Sequence, residues 1–297
     1  MQAKQIPTHG LKSEHPLTFK IERIDHRNHY NPLKLHRHDY FEVFIFEKGG
    51  GVHLIDFEEL PIQDRNIHFV TPGQVHQVRR SQQALGFVLI FSEEFFYVNQ
   101  TREDFLAKFP FFYYTTGAPT LELSPDAFQI CHELVIQMDR AYTGSSSMKY
   151  TILQSYLQIF LCRCVDFHRQ TNPHADLISL GWNQFQGFQL AVEQQYTSMH
   201  EVAGYARQLG ISPRQLNALA QKHAGCSAVS FIHRRIMIEA KRHLWFTGNS
   251  VSEIGYNLGF EDPAHFSRFV KKCTGCSPSE LRAKLSADDK LVEIDKH

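Results

Sequence analysis

The sequence predicts an α+β chain of two domains: a strand-rich N-terminal part with a helical segment behind it, then a C-terminal all-α module of two helix-turn-helix units joined by a helix. Three observations predict this. Short aromatic and β-branched runs punctuated by Gly and Pro fill residues 18–91, as in a small all-β barrel or sandwich. Apolar residues then recur at three- and four-residue intervals over 124–168, the helical period. Finally, one helical pattern is written twice: Gly210 falls on Gly259 at an offset of 49 and Gly225 on Gly275 at an offset of 50, which a repeated supersecondary unit explains.

In the strand-rich part, the runs FEVFIFEKGGGVHLIDF, IHFVTP and ALGFVLIF are separated by Gly49-Gly50-Gly51 and Pro72-Gly73. Tyr40, Phe41, Phe44, Phe46, Phe57, Phe69, Phe87 and Phe91 are dense enough that most must be core. Within these runs, His36-x-His38-x3-Glu42-x6-Gly49 resembles the first motif of the cupin superfamily, and Pro72-Gly73-Gln74-Val75-His76 resembles its second. Tyr30 stands where that first motif has Gly, and the Gly that precedes the second is replaced near Arg65. The resemblance implies a cupin-like β-barrel whose imidazoles and carboxylate suit a first-row divalent ion. With the motifs imperfect, the expectation is no metal, no cofactor and no catalytic residue. His36, His38, Glu42 and His76, with His53 nearby, are instead the expected polar contacts of a small-molecule effector in an otherwise apolar pocket.

Ser124-Pro125 caps a helix through about Tyr142, with Phe128, Cys131, Leu134, Val135 and Met138 on one stripe. Gly144-Ser145-Ser146-Ser147 breaks it. A second helix from about Met148 to His168 carries Ile152, Leu153, Tyr156, Leu157, Phe160, Leu161 and Cys164. That stripe fits packing onto the barrel and pairing with a second subunit equally well, and periodicity does not separate them. Leu153, Leu157, Phe160 and Leu161 are the expected relay or dimer surface.

The C-terminal repeat carries its own helix signals. Ser212-Pro213-Arg214-Gln215 and Ser250-Val251-Ser252-Glu253 have capping-box spacing, and Asp262-Pro263 offers an N-cap acceptor before a proline at the first helical position. Val202, Ala206 and Leu209 should face inward from the first helix, and Leu216, Leu219, Phe266 and Phe269 from the two second helices. The run SVSEIGYNLGFEDPAHFSRFVKKCTGCSPSELR, from Ser250 to Arg282, resembles the signature of AraC/XylS-type transcriptional regulators, and 182–246 resembles the rest of their DNA-binding module. That resemblance implies double-stranded DNA as partner, RNA polymerase as a further one, a homodimer, and an activator as the role. In a helix-turn-helix the start of the second helix enters the major groove. Arg214, Gln215, Asn217 and Gln221 then face DNA from the first unit, and Ala264, His265, Ser267 and Arg268 from the second. Lys271 and Lys272 suit phosphate.

Charge agrees with this division. The net charge is zero, yet 181–286 carries 12 Lys and Arg against 7 Asp and Glu, whereas 1–180 carries 17 against 20. Phosphate affinity therefore belongs to the C-terminal part. No apolar stretch is long enough for a membrane span and the N-terminus lacks a signal-peptide core, so a cytoplasmic protein is expected, its six Cys as thiols. Cys273-x-x-Cys276 and Cys162-x-Cys164 each lack the second ligand pair zinc needs. The expected organisation is an effector-sensing domain over 1–120, a helical segment over 121–170, a linker over 171–180, the DNA-binding module over 181–286 and a polar tail over 287–297. The reading is a sequence-specific regulator of transcription answering to an effector. Its alternatives are a metal-binding cupin sensor or enzyme fused to a DNA-targeting module, and a constitutive DNA-binding dimer.

Overall fold

The structure, a computed structural model, describes residues 8–9, 19–25, 35–56, 58–97, 109–112, 119–171 and 181–284. The chain divides into two compact units after residue 176. Tyr30, Phe57 and most of the expected linker lie outside the described residues.

The first unit is rich in sheet. Its strands are β1 (Thr8–His9), β2 (Phe19–Ile24), β3 (Arg37–His38), β4 (Phe41–Lys48), β5 (Gly51–Ile55), β6 (Glu58–Pro61), β7 (Asn66–Val70), β8 (His76–Arg80), β9 (Leu85–Phe91) and β10 (Thr120–Glu122). An antiparallel sheet runs β10-β7-β4-β9-β2, a second runs β6-β5-β8, and β1 pairs with β3. His36 and His76 exchange backbone hydrogen bonds of 3.1 and 2.9 Å. Every residue from Phe41 to Phe46 is at most 2% exposed, because both faces of β4 are covered. Period-two alternation sends Phe44 and Phe46 into a core shared with Ile55 and Val78 of the other sheet. Phe41 goes to the opposite face, its ring 4.9 Å from that of Phe112. Glu42, two residues from Phe44, is therefore carried to the inner side.

Helices cover the outer face. A short α1 (Glu93–Tyr97) precedes α2 (Pro125–Thr143) and α3 (Lys149–Thr171), which pack on each other. Ser124 Oγ accepts from Ala127 N at 3.3 Å, and Gly144 ends α2. His132 of α2 pairs with Glu47 of β4 at 2.9 Å, and Arg23 of β2 with Asp139 at 3.3 Å. Leu153, Leu157, Phe160 and Leu161 are completely buried. This corrects the expected dimer surface, since the stripe is consumed within the unit by α2 and its neighbours. The apolar residues left exposed on this pair are Ile130, Met148, Tyr150 and Ile159.

The second unit is helical: α4 (Trp182–Gln195), α5 (Val202–Gln208), α6 (Pro213–Ala224), α7 (Ala228–Phe246), α8 (Val251–Asn257) and α9 (Pro263–Thr274), then α10 over 278–284. Two cores divide it, one around Phe188, Tyr205, Leu216 and Ile232, the other around Leu244, Ile254, Phe266 and Val270. Tyr196, Phe260 and Phe269 pack against both.

Candidate nucleic-acid interface

Each half of the repeat builds the same object from local signals. In the first, Ser212 Oγ accepts from Gln215 N at 3.2 Å while Gln215 Oε1 accepts from Ser212 N at 2.9 Å, so the start of α6 is fixed by a complete capping box. In the second, Ser250 N donates to Glu253 Oε2 at 2.6 Å at the start of α8, and Asp262 Oδ1 accepts from Ala264 N at 2.9 Å at the start of α9. Proline holds the first position of both α6 and α9. Gly210 and Gly259 turn the chain before each second helix with φ of +66° and +81°, which a side chain resists. A Cβ on Gly259 would also stand 1.7 Å from the Thr197 carbonyl oxygen, whereas one on Gly210 would meet nothing. Leu216 and Phe266 are fully buried and set the roll of α6 and α9.

That roll decides which side chains remain outside. Arg214, Gln215, Asn217 and Gln221 of α6, and Ala264, His265, Arg268, Lys271 and Lys272 of α9, are exposed; Ser267 is half-buried. Three of them are already engaged. Gln215 belongs to the capping box, Ser267 Oγ donates to the Pro263 carbonyl at 2.9 Å, and Asn217 Oδ1 accepts from Ala228 N at 3.1 Å, capping α7.

The two halves are joined by contacts that sequence reasoning missed. Arg235 of α7 donates to Glu193 of α4 at 2.7 Å and to Glu239 at 3.1 Å, and Arg242 donates to the same Glu239 oxygen at 3.1 Å. The Arg235 guanidinium lies 4.0 Å from the centre of the Tyr196 ring. Partial burial alone would raise the Glu239 carboxyl, but the Arg242 and Arg235 guanidinium groups hold it below its ordinary pKa. The spacing of Arg235, Glu239 and Arg242 along a helix was a visible signal for half of this network; Glu193 lies 42 residues away. His200 Nε2 also donates to the Leu258 carbonyl at 2.9 Å, tying the loop after α4 to the second turn.

Residues 205–284 match the family described as helix-turn-helix domain. The HTH-type transcriptional activator RhaR of Mannheimia succiniciproducens is 20% identical over 276 residues, which span 92% of this chain and 94% of that protein. The HTH-type transcriptional activator RhaS of Salmonella arizonae is 27% identical over 251 residues, spanning 83% and 86% respectively. Among solved structures, the C-terminal domain of the two-component response regulator yesN from Fusobacterium nucleatum is 27% identical with a TM-score of 0.32, covering 34% of this chain and 98% of that one. The chain carries a helix-turn-helix domain over 205–284 and resembles AraC/XylS-type transcriptional regulators. It acts on transcription by binding DNA. Among the described residues, no helix of the regulator is long and apolar enough to cross a membrane.

The expected effector contacts of the regulator lie on the inner side of the sheet unit, and they do not form one equivalent set. His38 Nε2 is 3.1 Å from His76 Nε2 and 3.3 Å from Glu42 Oε2, and His76 Nε2 is 3.5 Å from that oxygen. All three side chains are buried. His36 is also buried, but its ring lies against that of His76, centroids 4.3 Å apart, and it stands outside this convergence. Two further buried imidazoles, His53 and His68, continue from His76. Burial pushes the pKa of His53 well below its ordinary value, with the neighbouring His68 adding to the effect, and lowers that of His68 to about 3, so both rings are neutral. Burial, reinforced by Glu42, raises the Tyr40 phenol, whose ring stacks on His38 at 4.1 Å.

The cupin resemblance implies a divalent cation at this place, and the donor set fits one. Two imidazole nitrogens and a carboxylate oxygen held at about 2.1 Å from a small ion, at tetrahedral or octahedral angles, stand roughly 3.0 to 3.4 Å apart, close to the separations of these three atoms. His38, Glu42 and His76 would hold such an ion. Bound there, it would supply a fixed positive charge joining β3, β4 and β8.

Proposed function

We propose that the regulator is an activator that reads a two-part DNA site with α6 and α9 and responds to a small-molecule effector held in the N-terminal unit. The observation that carries the reading is that both second helices have capped, proline-initiated starts and buried anchors while their first turns stay exposed. With Gln215, Asn217 and Ser267 engaged in the protein, the base-reading set narrows to Arg214 and Gln221 on α6 and Ala264, His265 and Arg268 on α9. Arg suits guanine bidentately, and Lys271 and Lys272 suit phosphate. The helix α7, braced by Arg235 and Arg242, sets the spacing of the two. A separation of about 34 Å would bring them into successive major-groove segments on one face of the duplex, so that one chain covers an asymmetric site.

The activator role is supported by the RhaR and RhaS relatives, both transcriptional activators by name, and implies contact with RNA polymerase. The buried polar group of His36, His38, Glu42 and His76 supports a ligand-responsive first unit over a purely scaffolding one. Two chains pair, in this reading, through the outer face of α2 and α3. There Ile130, Leu134 and Ile159 border a groove of about 530 Å³, with Glu133 and Arg163 offering opposite charges suited to two-fold self-pairing.

Selection of binding sequences from random duplexes, followed by footprinting of the full chain, tests the reading. A site with two separated contacted segments, one lost in Arg214→Ala and the other in His265→Ala, is expected. Protection of one segment only, or identical losses from both substitutions, would remove the two-helix reading.

A further inference from the structure

Four buried imidazoles stand in single file on the inner side of the first unit. His38 Nε2 is 3.1 Å from His76 Nε2, His76 Nδ1 is 3.1 Å from His53 Nε2, and His53 Nδ1 is 3.1 Å from His68 Nδ1. The rings come from four strands, β3, β8, β5 and β7, so only the folded sheets bring them together. A neutral imidazole carries one N–H and one lone pair, and each contact between two rings can hold one proton. The file is therefore polarised along its length.

One end has a fixed sense. His38 Nδ1 faces the Tyr40 carbonyl at 2.6 Å. A carbonyl only accepts, so the proton of neutral His38 is on Nδ1 and its Nε2 presents a lone pair. Two arrangements of the rest are then available. In the first, His68 Nδ1–H donates to His53 Nδ1, His53 Nε2–H donates to His76 Nδ1, and His76 Nε2–H donates to His38 Nε2. In the second, each of the three protons sits on the opposite nitrogen: His76 Nδ1–H donates to His53 Nε2, His53 Nδ1–H donates to His68 Nδ1, and the His68 proton is on Nε2, which is buried and meets no acceptor among the described residues, a cost that only a bound cation offsets. The second turns the lone pairs of His38 and His76 toward each other beside the Glu42 carboxylate. Those three donors repel one another unless a cation is shared among them, so a cation selects the second arrangement and its removal the first.

We propose that His53 and His68 are positioning residues of a divalent-cation site formed by His38, Glu42 and His76, and that cation binding reverses the hydrogen-bond direction through His76, His53 and His68. The proposal rests on the fit of the donor triad to a cation. An acceptor on Nδ1 orients a metal-binding imidazole and raises its basicity, and loss of such a partner commonly costs ten- to a hundredfold in metal affinity. Here the partner is itself a histidine with a second one behind it, so the state of the site is carried to β7. His68 pairs in register with Thr120 of β10, the strand that leads into α2.

The test uses the metal-free full chain with Co²⁺ and Zn²⁺ as probes. One equivalent of Co²⁺ per chain should bind, with Zn²⁺ displacing it. In ¹⁵N-histidine-labelled protein, Zn²⁺ should move the protons of His76 and His53 from Nε2 to Nδ1 and that of His68 from Nδ1 to Nε2, while His38 stays protonated on Nδ1. His53→Phe, which offers no acceptor, should weaken Co²⁺ binding ten- to a hundredfold, and His53→Gln, whose carbonyl oxygen accepts, should recover most of it. Stoichiometric binding with unchanged tautomers, or with His53→Phe equal to wild type, overturns the relay while leaving the donor triad in place. Absence of stoichiometric Co²⁺ and Zn²⁺ binding by the wild-type chain overturns both. If His53→Phe does not fold, the spectra of the unsubstituted protein decide.

Discussion

At the scale of single residues, the repeat lets like be compared with like. Gly210 and Gly259 occupy equivalent turns, and Ala at either must adopt a left-handed backbone, at a cost of about 1 kcal/mol. At Gly259 the new Cβ would also meet the Thr197 carbonyl oxygen at 1.7 Å, backbone that cannot swing away. Gly259→Ala is therefore expected to destabilise the helical unit markedly more than Gly210→Ala in urea melts; equal losses would show that the loop after α4 yields freely. A second contrast separates reading from folding. Arg214→Ala and His265→Ala should each cost about 1 to 3 kcal/mol of specific DNA affinity with the melting profile unchanged. Leu216→Ala and Phe266→Ala, both at fully buried sites, should instead cost roughly 2 to 5 kcal/mol of stability through the cavities they leave. Comparable unfolding in all four would mean that the inner and outer faces of α6 and α9 are exchanged.

At the scale of elements, neighbouring positions on α3 have opposite fates. Phe160 is fully buried, whereas Ile159 is 46% exposed. Phe160→Asp should unfold the sheet unit, while Ile159→Asp should leave it folded and shift the sedimenting species toward monomer, as the proposed pairing through α2 and α3 requires. An unchanged sedimentation coefficient for Ile159→Asp would exclude that face. In the sheet, His68 couples stability to pH. Its pKa falls from 6.5 in the unfolded chain to about 3 in the fold, so between those values the unfolded state binds a proton that the folded state does not. The sign is therefore positive with pH: the contribution is complete above about pH 6.5 and declines toward pH 3, by up to ~1.4 kcal/mol per pH unit. Denaturant midpoints between about pH 7 and pH 5 should fall more steeply for wild type than for His68→Phe, and parallel slopes would contradict a neutral buried His68.

At the scale of the whole molecule, the second unit contains its cores, its connecting helix α7 and the Arg235–Glu193 and Arg242–Glu239 pairs, in which buried guanidinium groups meet half-buried carboxylates, and none of these requires residues before 181. A fragment over 181–286 is accordingly expected to fold and to prefer specific duplexes, with affinity falling steeply as salt rises because bound phosphates release counterions. A folded fragment with no sequence preference would move specificity into the intact chain.

What the sequence determined by itself was local. Ser124, Ser212, Ser250 and Asp262 announced helix starts, Gly210 and Gly259 the turns, and the offset between the glycines the duplication, because caps and turns are settled by side chains within a few residues of the backbone they satisfy. The same locality made Leu216 and Phe266 legible as anchors from helical period alone. Tertiary structure decided everything that depends on which of two surfaces wins a stripe or which distant side chain answers a polar group. It buried Leu157 and Phe160 inside the unit, set the Asn217 side-chain oxygen on the Ala228 amide at the start of α7, set Glu193 against Arg235, separated His36 from the triad of His38, Glu42 and His76, and lined up His53 and His68 behind it. Those outcomes require strands and helices far apart in the chain to meet, and the energies involved, desolvation and pairing in a buried interior, exist only once they have met.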